Sequence, residues 1–111
     1  YVVEGPLDSL FIPNTVAIVG ASAVTDVPAR FAKSNLVYVL DNEPRNYQIV
    51  LYNEKLIDKG ASVCIWPDEI KQKDINDMIF RMTASQIKKV IDDNTYQGLQ
   101  AKLRLNEWKK V

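Results

Sequence analysis

The stretch Leu36-Val37-Tyr38-Val39-Leu40-Asp41-Asn42-Glu43 decides the fold. An unbroken apolar run is followed at once by two acids. A short continuous apolar run bounded by polar residues reads as a strand buried on both faces, the mark of a parallel sheet covered by helices. The arrangement recurs on both sides of this stretch. Tyr1-Val2-Val3 leads into Glu4, and Ala61-Ser62-Val63-Cys64-Ile65 is followed, after a short loop, by Asp74 and Asp77. In open parallel sheets, ligands bind outside the carboxyl ends of the strands. Acids delivered to that one edge by separate strands repel one another unless a cation sits among them. Hard oxygen donors of this kind suit Mg²⁺ or Mn²⁺.

Working outward, the chain alternates strands and helices. Strands are expected at 1–4, at 16–19 closed by Gly20, at 36–40 and at 61–66. Gly5-Pro6 marks a turn, Asp8 can cap a short helix through Ile12, and a helix is expected within 21–35 with Pro28 near its start. From about Arg45 to Lys59, Ile49, Val50, Tyr52, Leu56 and Ile57 fall at helical spacing, and Gly60 is placed to stop the helix. A short helix is expected over 74–82. Thr83 and Gln86 form a capping-box pattern ahead of a helix that runs from Ile87 to Asp93. At the end, Leu99, Ala101, Leu103 and Leu105 alternate with polar residues, which predicts an amphipathic extra C-terminal strand. A helix is the alternative there, because Leu, Lys, Ala and Arg favour it. The expected architecture is α/β: a mostly parallel four-stranded sheet flanked by helices, in a single domain over 1–111.

Composition removes much chemistry. The chain has no His, so Ser-His and Cys-His nucleophile pairs cannot form within it. Its single cysteine, Cys64, rules out an internal disulfide and an ordinary zinc site. Because Cys64 lies inside an apolar run, it reads as a small core residue, and a lone thiol suits a reducing compartment. No run approaches the roughly 18 apolar residues of a membrane span, so no membrane partner is expected. The 14 basic and 14 acidic residues cancel, which argues against gripping nucleic acid by bulk electrostatics alone. The chain does not begin with Met and opens inside an apparent strand, and it is read as a fragment of a longer protein.

At this point the chain resembles a family. Val2-Val3-Glu4-Gly5-Pro6-Leu7-Asp8, Leu40-Asp41-Asn42-Glu43 and Lys73-Asp74-Ile75-Asn76-Asp77 look like the acidic motifs of a Toprim domain, in order. That domain is shared by bacterial-type primases, type IA and II topoisomerases and some nucleases. The run Asp41-Asn42-Glu43-Pro44-Arg45-Asn46, with Ile65-Trp66-Pro67 and Lys73 to Met78 after it, is similar to the DNA primases of tailed bacteriophages. The resemblance spans roughly residues 1–82. It implies a Toprim fold and a metal-dependent nucleotidyl transferase that makes RNA primers on single-stranded DNA. Glu4, Asp41 and Glu43 take catalytic roles by this mapping. Glu4, Asp8, Asp41, Glu43, Asp74 and Asn76 surround Mg²⁺ or Mn²⁺. Glu43 stands where the family pattern has Asp and so adds one methylene. Asn76, where some primases have Asp, offers a neutral oxygen.

Arg45 and Lys73 flank the acids and are the candidates for phosphate neutralisation. The implied partners are a single-stranded DNA template, ribonucleotides and a replicative helicase, in the host cytoplasm. A zinc-binding template reader and a basic subdomain are expected N-terminal to the chain. The chemistry agrees, since phosphoryl transfer depends mainly on positioning and charge neutralisation. Two other readings fit the residues: another Toprim enzyme, nuclease or topoisomerase, and a non-catalytic α/β binding module whose acids are solvated. Each acid also has an ordinary role as a strand end or helix cap. Trp66, ahead of Pro67, reads as strand-end packing rather than a base-stacking platform.

Overall fold

Val2 and Val3 are neighbours in a strand, both are buried, and each belongs to a different core. The same split recurs at Tyr38 and Val39 and at Val63 and Cys64. Successive strand residues point to opposite faces, so a sheet that buries both faces needs continuous apolar runs. The computed structural model describes residues 1–3, 15–17 and 36–111. The expected helices after Asp8 and within 21–35, the Gly20 turn, and the residues Glu4 and Asp8 lie outside the described residues.

Among the described residues, β1 (Val2–Val3), β2 (Val16–Ala17), β3 (Val37–Val39), β4 (Ser62–Cys64) and β5 (Thr95–Tyr96) form one sheet in the order β2-β1-β3-β4-β5. β1 runs parallel to β2 and β3, and β3 runs parallel to β4. β5 is antiparallel to β4, with Val63 opposite Tyr96. The mostly parallel α/β sheet expected from the sequence is therefore present, with its extra strand in a different place.

α1 (Tyr47–Asp58) starts at Asn46, whose side-chain oxygen accepts from the amides of Gln48 and Ile49. It ends in a Schellman turn: Gly60 N–H donates to Ile57 O (2.9 Å) and Ala61 N–H to Leu56 O (3.0 Å). Gly60 stands at φ +81°, which a side chain would strain. Ile49, Val50, Leu56 and Ile57 of α1 meet Ala101 and Leu105 of α4 (Gly98–Trp108) over one face of the sheet. The other face is covered by α2 (Ile75–Met78) and α3 (Ala84–Asp93) through Ile75, Met78, Ile87 and Ile91. Met78, Ile87 and Ile91 are fully enclosed, and each such side chain contributes about 1.5–3 kcal/mol. Thr83 and Gln86 make the expected reciprocal capping box at the start of α3. α2 is shorter than the helix expected over 74–82, and the chain turns after Met78.

The C-terminal expectation is corrected. Residues 99–105 lie in α4, not in a strand, and the fifth strand is Thr95–Tyr96. Ala101, Leu105 and Trp108 are buried at helical spacing, whereas Leu99 and Leu103 are 72% and 56% exposed. Trp108 completes a helical stripe that a period-two reading stopping at Leu105 leaves out.

Candidate functional site

β3 and β4 run parallel in register, Val37 with Ser62 and Tyr38 with Val63, so both open at the same edge. The indole N–H of buried Trp66, just past β4, donates to Leu40 O at 2.8 Å and closes that edge above β3. Packing, not base stacking, is thus the role of Trp66. The chain then turns sharply: Glu43 N–H donates to Asp41 O (2.9 Å) and Asn46 N–H to Glu43 O (3.0 Å). Asp41 and Glu43 therefore sit on one tight loop between β3 and α1, both partly buried. Arg45, next along, is exposed.

Between the two acids, Asn42 ties three segments together. Its backbone N–H donates to Lys73 O. Its side-chain amide donates to Ile70 O (2.9 Å) and Gln72 O (3.1 Å). Its side-chain oxygen accepts from the Trp108 indole at 3.0 Å. Lys110 N–H donates to Pro44 O (2.7 Å), a second bond from the end of α4 to the same loop. The loop after β4 is thereby fastened to the loop after β3, and Lys73-Asp74 lies alongside Asp41 to Glu43.

Lys73 Nζ stands 4.0 Å from Glu43 Oε1, with the side chains 55% and 29% exposed, so the pair adds little stability. It places a cation beside the acid loop. Asp74 caps α2, its Oδ1 accepting from Asp77 N–H at 2.8 Å. Asn76 is partly buried in the first turn of α2, and Asp77 is exposed.

Glu4 and Asp8 lie outside the described residues. Val3, which precedes Glu4, pairs with Val39, two residues before Asp41. Among the described residues no three His, Cys, Asp or Glu side chains gather closely enough to hold a metal ion. The oxygen donors of Asp41, Glu43 and Asp74 match a hard cation in kind but do not make a shell by themselves. Mg²⁺ is ordinarily held by one or two carboxylates, with waters and substrate phosphates filling the rest of its shell.

A pocket of about 310 Å³ opens beside this loop, lined by apolar residues such as Pro44, Ile70 and Trp108 and by the charged Asp68, Lys71 and Lys110. Cys64 lies away from this chemistry, because burial pushes its thiol well above the ordinary range and keeps it protonated. Asn42 and Trp108 organise the loop without carrying charge, and the acid pattern passed over them, whereas Trp66 packs at the strand end as expected. The signal was an amide-bearing residue set between two acids directly after a buried strand, in a chain with only 2 tryptophans. Among the described residues, no helix is long and apolar enough to cross a membrane.

No protein-family model matches the chain. Along its whole length the chain is 43% identical, over 114 residues, to the DNA primase of Enterobacteria phage T4, and it spans 33% of that protein.

Proposed function

We propose that this chain is the catalytic Toprim segment of a phage-type DNA primase, which joins ribonucleotides into RNA primers on single-stranded DNA. The observation that carries the reading is the 43% identity to the T4 DNA primase along the whole chain. The parallel sheet supports it, since β3 and β4 open at one edge and the loops behind them are bonded together there.

In this reading Glu4, Asp41 and Glu43 hold Mg²⁺ or Mn²⁺, with Asp8, Asp74 and Asn76 completing its surroundings. The bound ion supplies charge neutralisation at the phosphates and favours the deprotonated form of the attacking 3′-hydroxyl. Asp41 and Glu43 are suited to hold a cation because their loop is short, internally hydrogen-bonded and half-buried. Lys73 stands beside Glu43 and Arg45 is exposed on the loop after β3, and in this reading both oppose the negative charge of a nucleotide. Template DNA, ribonucleotides and a replicative helicase are the partners this reading requires.

The test is Asp41→Asn in the complete protein that carries this chain. The change keeps volume and removes the charge that holds the ion, so primer synthesis should fall at least about a hundredfold. Far-UV circular dichroism should be unchanged, because loss of one carboxylate relieves repulsion at the edge. Near-normal primer synthesis by this variant overturns the assignment.

A further inference from the structure

We infer that Asn42 is a positioning residue, holding the acidic loop in place and serving as the junction through which α4 governs that loop. The functional part of this statement rests on the primase reading; the mechanical part does not. Asn42 uses both ends of its side chain. The amide nitrogen donates to Ile70 O and Gln72 O in the loop after β4, and the oxygen accepts from Trp108 on α4. Its backbone N–H donates to Lys73 O. An aspartate could keep only the bond to Trp108 and would set its charge against two carbonyl oxygens. A leucine would keep none of the side-chain bonds. The residue type is therefore dictated by donor and acceptor count.

The placement gives the consequence. Asp41 and Glu43 flank Asn42, and Asp74 follows Lys73, so the separation of the two acid-bearing loops is set by the bonds at Asn42. α4 reaches the same loop twice, through Trp108 on Asn42 and through Lys110 on Pro44. Trp108 is buried at 7% exposure, so its ring is held by the core around it and its bond to Asn42 follows the end of the helix. A shift of α4 is thus transmitted to Asp41 and Glu43 through rigid, directional contacts.

Two variants of the complete protein test this by hydrogen–deuterium exchange of peptides covering 40–46 and 70–75, and by electron paramagnetic resonance of bound Mn²⁺. Asn42→Ala should raise exchange in both peptides about tenfold while peptides from α3 stay at wild-type protection. Trp108→Phe removes the indole donor and leaves a smaller ring in the same place, and it should loosen 40–46 by a smaller factor. Both variants should weaken the Mn²⁺ site that Asp41→Asn removes, a loss that a merely structural role would not produce while the rest of the fold is protected. Wild-type exchange in Asn42→Ala overturns the positioning role. Wild-type exchange in Trp108→Phe overturns the link to α4, and this variant decides the matter if Asn42→Ala fails to fold. If Asp41→Asn binds as much Mn²⁺ as wild type, the metal reading fails, while the exchange results still decide the role of Asn42.

Discussion

Asn53 is 2% exposed on the buried face of α1, and its side chain is only half satisfied. The amide nitrogen donates to Ile49 O at 3.2 Å, one turn back. The oxygen has no hydrogen-bond partner among the described residues. A buried acceptor left unpaired costs free energy, and replacing it with an apolar group of similar shape removes that cost. Asn53→Leu should therefore raise unfolding stability by about 1 kcal/mol, with better helix propensity acting in the same direction. Urea denaturation of the two proteins measures it, and a destabilised variant would mean that the oxygen is paired in solution. Asn42 makes the contrasting case, an amide with both ends bonded. Nothing in the letter pattern separates these two asparagines. Their roles depend on which carbonyls and indoles the fold brings near, so the loop of Asp41 to Glu43 after a buried strand was legible in the sequence while the bonds made by Asn42 were not.

At the scale of elements, legibility followed the uniqueness of the hydrophobic pattern. β3 and β4 were readable because each is a continuous apolar run, and only a sheet covered on both faces buries such a run. α1 was readable because a helical stripe runs into Gly60, and the structure adds the Asn46 cap. α4 was misread because Leu99, Ala101, Leu103 and Leu105 satisfy period two over a short window, and Ala101, Leu105 and Trp108 satisfy helical period over a longer one. The two patterns make different demands on single residues. In a strand, Leu103 and Leu105 would share one face and be equally costly to lose. In α4, Leu105 is 2% exposed and Leu103 is 56% exposed. Leu105→Ala should cost about 2–5 kcal/mol, as large-to-small changes in a core do. Leu103→Ser should stay within about 0.5 kcal/mol, as surface changes do. Chemical denaturation of the pair is the measurement, and equal losses would restore the strand.

On the scale of the whole molecule, the question is whether these 111 residues suffice for priming. Priming requires a template strand and two nucleotides to be held together long enough to react. Grip on a single strand comes from a positive channel lined with stacking aromatic rings. This chain has 14 basic and 14 acidic residues. Many of its cations already face acids: Lys88 with Asp92, Lys89 with Asp93, Lys102 with Asp58, and Lys109 with Glu54. Surface pairs of this kind add little stability, and the chain's zero net charge gives it no overall pull on phosphate. In the proposed reading, the acid edge repels phosphates until a cation is bound. The chain also spans only 33% of the phage primase it matches, so the grip is expected in the remainder of such a protein. The purified chain, incubated with template, labelled ribonucleotides and Mn²⁺, should make no short oligomers under conditions where the complete protein does. Adding salt should change nothing in the chain's own result, since it has no electrostatic grip to lose. Template-dependent products from the chain alone would place both the catalytic edge and the template grip within it, and the charge argument would be wrong.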